Sequence, residues 1–170
     1  TAIKLFKEAI KFYPHEHANY LNLGALYKDL KRSKEAKYYI YKALEIDPQN
    51  ANCYLNLGGV LIDIGRLKEA EIYTRKAIKI KPDYAIAYGN LGNILSTLGN
   101  LEEAEKSLKK AIELKPDFVD AYIQLGYILR EKGNLKDSIN CSKKIMSMRP
   151  WSIHGSYSFN HNIKPKSCNK

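Results

Sequence analysis

The chain has 170 residues, of which 45% are hydrophobic and 27% charged, with a formal net charge of +10. That balance suits a folded chain in water; its apolar runs fall well short of the roughly 18 residues a membrane helix needs, and no basic-then-apolar leader opens it. Three cysteines, Cys53, Cys141 and Cys168, lack metal-ligand spacing, and an odd count fits a reducing, cytoplasmic setting better than a disulfide framework.

In chain order, residues 1–14 are a leading fragment that ends on Pro14. The first residue is Thr, so a lost upstream leader stays open. Pro14, Pro48, Pro82, Pro116 and Pro150 then recur every 34 residues. A fixed period of that size marks stacked supersecondary units rather than a conventional enzyme core. The units are residues 15–48, 49–82, 83–116 and 117–150.

Each unit predicts two helices. In the first unit Tyr20, Leu23, Tyr27 and Leu30 form one apolar stripe, and Ala36, Ile40, Ala43 and Leu44 form a second. Each Pro ends the second helix because it cannot donate the helical hydrogen bond. Gly24, Gly58, Gly92 and Gly126 recur in the first helices and Ala36, Ala70 and Ala104 in the second, which predicts a close crossing. A bulkier residue there costs roughly 1–3 kcal/mol. Gly65, Gly99 and Gly133 fall between the helices, where a left-handed C-cap is favoured. The first unit has Lys31-Arg32-Ser33 instead, and a less regular turn is expected there.

The fourth unit departs from the pattern: Ser138, Ser142, Ile145 and Lys132 replace residue types the other units keep. Terminal repeats are commonly atypical because one side faces solvent. Residues 151–170 form an irregular basic tail with Lys164, Lys166 and Lys170. Trp151 and Ile153 are expected to pack on the last helix; the alternative is that the tail opens a downstream domain.

The Tyr…Leu-Gly…Ala…Ala…Pro pattern over residues 1–150 resembles the tetratricopeptide repeat family. Ala2, Phe6, Ala9 and Pro14 match the second helix of a preceding, truncated repeat over residues 1–14, and the resemblance implies an all-α, right-handed solenoid of antiparallel helix pairs. The first helices would line a concave groove and the second helices would face outward.

No catalytic constellation is visible, and no cofactor or metal site is expected. His15 and His17 bracket Glu16 without a third ligand nearby, and His154 and His161 match no metal spacing. Cys53 and Cys141 read as small hydrophobes. The residue before each Leu-Gly pair is an amide: Asn22, Asn56, Asn90 and Gln124. It lies about 100° round the helix from the core leucine, toward the groove. Asp29, Asp63, Asn93, Asp120 and Tyr127 share that face. A carboxamide both donates and accepts, so a ladder of them can hold a peptide backbone whatever its side chains. The ladder is similar to the asparagine ladder in the repeat arm of O-linked N-acetylglucosamine transferases. Two roles stand open for it: ligand contact, or bonding to a neighbouring repeat.

The carboxylate clamp of some family members has a Lys and an Asn where this chain has Leu21 and Ala25, which argues against capture of a partner's C-terminal carboxylate by that route. Asp29, Asp63, Asp120 and Glu131 are opposed only by Lys28 and Arg130, so a neutral or basic extended peptide fits better. Lys42, Arg75, Lys76, Lys109, Lys110, Lys143 and Lys144 recur on the second helices. They make a solvated outer face or a docking face for an anionic partner; without interleaved aromatics, nucleic acid is disfavoured. The expected function is a non-catalytic protein–protein interaction scaffold. The alternative is the substrate-recruiting arm of a larger glycosyltransferase. Leu5, Phe6 and Ile10 on the truncated leading helix are expected to be under-covered, which opens self-association at that end.

Overall fold

A computed structural model describes residues 2–148. The tail, with the expected packing of Trp151 and Ile153 and with His154, His161 and Cys168, lies outside the described residues. Among the described residues the chain forms nine α-helices: α1 (Ala2–Phe12), α2 (His17–Asp29), α3 (Ser33–Ile46), α4 (Ala51–Asp63), α5 (Leu67–Ile80), α6 (Ala85–Thr97), α7 (Leu101–Leu114), α8 (Val119–Glu131) and α9 (Leu135–Met148). The second helices α3, α5 and α7 each stop two residues short of a proline, as the backbone restriction before Pro requires. Two starts carry side-chain caps: Asn50 accepts from the backbone N–H groups of Asn52 and Cys53, and Asn100 from that of Glu103.

The helices pack as pairs, α2 with α3, α4 with α5, α6 with α7 and α8 with α9, and each second helix also touches the next first helix. The first helices α2, α4, α6 and α8 approach one another closely in succession, while successive second helices stand farther apart and meet through long side chains, Tyr41 with Tyr73 and Arg75 with Glu103. The first helices therefore crowd the inner side of the stack and the second helices splay outward. The core runs along the seam. Leu23, Ile40, Leu57, Ile94, Leu108 and Ile128 are buried there, with Ala36, Ala70 and Ala104 fully buried between them.

The crossing depends on the first-helix glycines, and unequally. A Cβ on Gly24 would sit 2.7 Å from Ile40 Cγ1, one on Gly58 2.6 Å from Thr74 Oγ1, and one on Gly92 2.5 Å from Leu108 Cγ. On Gly126 the nearest atom would be Cys141 Cβ at 3.6 Å, an ordinary contact. The last pair is looser, and Ser138 Oγ instead donates to the Gly126 carbonyl at 2.9 Å. Thr74, standing where the other crossings have Ile40 and Leu108, has a buried hydroxyl with no hydrogen-bond partner.

The turns correct one expectation. Gly65, Gly99 and Gly133 have φ of 76°, 84° and 77°, and Lys31 takes the same left-handed conformation at φ 58°. Its hydrogen bonds are also those of the glycine turns: Lys31 N–H donates to Lys28 O and Arg32 N–H to Tyr27 O, both at 2.9 Å, as Gly65 and Arg66 donate to Ile62 and Leu61. The first turn is thus regular. Two backbone bonds and the packed helix pair impose the conformation on a residue that does not favour it, at a cost of about 1 kcal/mol. Lys31→Gly is expected to raise stability by about 1 kcal/mol in urea unfolding, because the exposed Lys31–Asp63 pair it removes contributes little.

Lys132, a departure from the apolar pattern, ties the last two repeats together. Its Nζ donates to Glu105 Oε2 at 2.6 Å, and Lys109 donates to Glu105 Oε1 at 2.7 Å. The two ammonium groups, Lys109 first, hold the Glu105 carboxyl below its ordinary range. A depressed carboxylate stabilises the fold above its unfolded pKa and ceases to do so as the pH falls through its folded one. Melting temperature is therefore expected to drop on acidification below about pH 4.5, and Glu105→Gln to flatten that slope. An unchanged slope in the variant would show that the tie carries no acid lability.

Candidate peptide-binding groove

The groove face follows from the helix period. In α2 the stripe of Leu23 and Tyr27 is buried against α3, which turns the adjacent Asn22 out to solvent. The same offset leaves Asn56 on α4, Asn90 on α6 and Gln124 on α8 half-buried on the side where the first helices meet. The structure thus brings the four amides, one per repeat, onto one face. Asn56 Nδ2 donates to the Asn52 carbonyl at 2.9 Å, a bond within its own helix. Among the described residues, the carboxamides of Asn22, Asn90, Asn93 and Gln124 make no side-chain hydrogen bond, and none of the four ladder amides bonds to a neighbouring repeat.

The rims of the groove differ. Along the N-terminal ends of the first helices, residues of the inter-repeat loops staple neighbouring helices. Tyr84 Oη, just before α6, donates to Asn52 Oδ1 on α4 at 2.6 Å. Phe118, just before α8, packs on Gly89 of α6 so closely that a Cβ there would lie 2.8 Å from the ring. Lys81 and Lys115 cover the Tyr84 and Phe118 rings at 4.9 and 5.6 Å. Sequence reasoning missed this rim. Its signal was the Lys-Pro-Asp-aromatic run at 81–84 and again at 115–118, next to a glycine at 89 where the other units have Leu21, Leu55 and Ile123.

The opposite rim is acidic, with one correction. Asp63 does not stand open, because Lys31 Nζ, reaching across from the preceding turn, pairs with it at 3.0 Å. The left-handed turn at Lys31 aims that side chain, so helix periodicity alone could not count it. Lys28 pairs with Asp29 at 3.7 Å and its stem lies over Gly59. Asp29 and Glu131 on this rim remain exposed, as does Asp120 at the N-terminal end of α8. Tyr127 is 53% exposed, with the Arg130 guanidinium 5.0 Å from its ring centre.

On the outer helices the cations are largely engaged. Lys42 pairs with Glu45, Arg75 with Glu71 and Glu103, Lys109 with Glu105, and Lys110 with Glu113. Lys76 lies 4.3 Å over the Tyr54 ring. Lys143 and Lys144 are exposed and make no ion pair among the described residues. Alternating acids at i±3 and i±4 dilute a patch that looked purely cationic. Cys53 and Cys141 are buried, and burial pushes the Cys53 thiol up to about 12, far from a nucleophile's range. On α1, Phe6 and Ile10 pack partly against the core beside Leu23, while Leu5 and Phe12 are 67% and 78% exposed.

Comparison with known proteins agrees with this architecture. Sequence profiles of the tetratricopeptide repeat match residues 31–91, 85–118 and 107–140. The chain belongs to the tetratricopeptide repeat family, a class of protein-interaction modules. No curated protein matches it closely enough to be counted a relative. Among solved structures, it is similar to MamA (27% identity, TM-score 0.75, covering 87% of this chain and 86% of that one). It is also similar to YrrB, described as a TPR protein with an unusual peptide-binding site (25% identity, TM-score 0.74, covering 90% and 79%). TTC0263, a TPR protein of Thermus thermophilus, shares the fold (20% identity, TM-score 0.80, covering 94% and 87%). No helix among the described residues is long and apolar enough to cross a membrane.

Proposed function

We propose that the concave face binds an extended segment of a partner protein, without catalysis, and that Asn22, Asn56, Asn90 and Gln124 hold its backbone. The observation that carries this reading is the hydrogen-bonding capacity left on those amides. Three carboxamides make no bond to the protein among the described residues, and Asn56 spends only its donor, on its own helix. An amide that served the array alone would be bonded within it. First helices packed about 8–10 Å apart offer one amide for every three or so residues of an extended chain. The peptide-binding site of the similar protein YrrB supports the same use of the fold.

The exposed Asp29, Asp120 and Glu131 favour neutral or basic ligands. A peptide array graded in charge tests this. Retention of neutral and basic extended peptides over acidic ones, weakened about fivefold in Asn90→Ala, is expected. Equal retention by the variant, or preference for acidic peptides, would overturn the reading.

A further inference from the structure

An open notch of about 450 Å³ lies on the outer side between α5, α6 and α7, away from the groove. One departure from the repeat falls within it. One repeat earlier, Tyr73 stacks on Tyr54, with centroids 6.2 Å apart and planes 13° from parallel, and Lys76 covers the Tyr54 ring at 4.3 Å. The Tyr73 hydroxyl there lies 3.3 Å from the Tyr41 hydroxyl. Advanced by 34 residues, Tyr54 becomes Tyr88, Lys76 becomes Lys110, Tyr73 becomes Ser107 and Tyr41 becomes Arg75. The platform residue and the flanking lysine are kept in sequence, with Lys110 Nζ drawn to Glu113 at 2.7 Å; the stacking ring is gone, and the hydroxyl partner has become a guanidinium. Tyr88, Ser107, Lys110 and Arg75 all line the notch, and Lys79 and Lys106 complete its rim. Neither of these last two lysines is in an ion pair among the described residues. The lining carries one carboxylate, Glu103, which already bonds Arg75 at 2.6 Å.

We propose that this notch receives an aromatic side chain bearing an anion at its para position, the phosphotyrosine of a partner protein. Tyr73 is the internal template for the ring: an incoming ring takes the Tyr73 place on Tyr88, which puts its para substituent at Arg75. Lys79 and Lys106, in no ion pair among the described residues, together with Arg75 (held by Glu71 and Glu103) and Lys110 (held by Glu113), favour a dianionic phosphate there over a neutral phenol. The phosphate competes with Glu103 for Arg75. This binding is independent of the groove, so its failure leaves the peptide reading untouched.

Phenyl phosphate is the probe, followed by amide chemical shifts of the full chain, with phenol and inorganic phosphate as separate titrations. Saturable shifts at Tyr88, Ser107 and Lys110 are expected with phenyl phosphate, at concentrations where the other two leave these amides unmoved. The stack on Tyr88 makes it about tenfold tighter than inorganic phosphate. Ser107→Tyr restores the plug and is expected to abolish these shifts without lowering the melting temperature. Glu103→Gln removes one of the two carboxylates that hold Arg75 and is expected to tighten binding about threefold. The proposal is overturned if inorganic phosphate gives the same shifts, or if a folded Ser107→Tyr still binds. Should Ser107→Tyr unfold, unchanged or weaker binding by Glu103→Gln overturns it.

Discussion

Gly92→Ala is expected to destabilise the protein by about 1–3 kcal/mol, whereas Gly126→Ala is expected to stabilise it by about 0.5–1 kcal/mol. The same methyl is added at the same repeat position, and the sign differs because the surroundings do. At Gly92 the new Cβ would lie 2.5 Å from Leu108 Cγ and 3.3 Å from the Ala104 carbonyl, so α6 and α7 must part or Leu108 must leave its rotamer. At Gly126 the nearest atoms are 3.6 and 3.9 Å away, and the helix-propensity gain of Ala over Gly is all that remains. Urea unfolding of the two variants measures both. Leu108→Ala, itself costly, should render Gly92→Ala nearly neutral in a double-mutant cycle. Independent effects of the two substitutions would show that the crossing is not the cause.

The second large effect concerns binding. Replacing Asn22, Asn90 and Gln124 together by Ala is expected to weaken the best neutral or basic peptide about 100-fold, at roughly 1 kcal/mol per lost hydrogen bond. Stability should stay within about 1 kcal/mol of the parent, since an unbonded exposed or half-buried amide contributes little to the fold. Fluorescence anisotropy with a labelled peptide gives the first quantity and a thermal melt the second. A collapsed melt would assign the ladder a structural role. Intact binding would move the ligand off this face. Asn56 is left out of the triple variant because its bond to the Asn52 carbonyl would mix a helix effect into the result.

The fold was legible because each repeat states its own rules. The prolines marked where second helices end, the apolar stripes marked the buried faces, and Gly65, Gly99 and Gly133 marked the left-handed turns. Lys31 was misjudged for a physical reason. A local preference against φ > 0 loses to two backbone hydrogen bonds and a packed helix pair, which impose the conformation whatever residue is there. The amides could be placed on the groove face from the helix period. Their bonding could not, because it depends on what each carboxamide meets in space. The loop staples, Tyr84 on Asn52 and Phe118 on Gly89, also join residues about 30 apart, beyond any helical spacing.

The sequence by itself determined the architecture: the period, the helix pairs, the turns and the face on which one amide per repeat falls. These follow from local chemistry repeated at a fixed interval, so each copy reinforces the reading of the others. Only the tertiary structure decided which equivalent positions are not equivalent. Gly92 is clamped and Gly126 is not; Asp63 is neutralised and Glu131 is not; Tyr73 stacks on its platform and Ser107 leaves the next one open. The reason is that each of these outcomes is set by a neighbouring helix or repeat. A repeat sequence specifies its own helices locally, but the space between repeats is settled only when they stack.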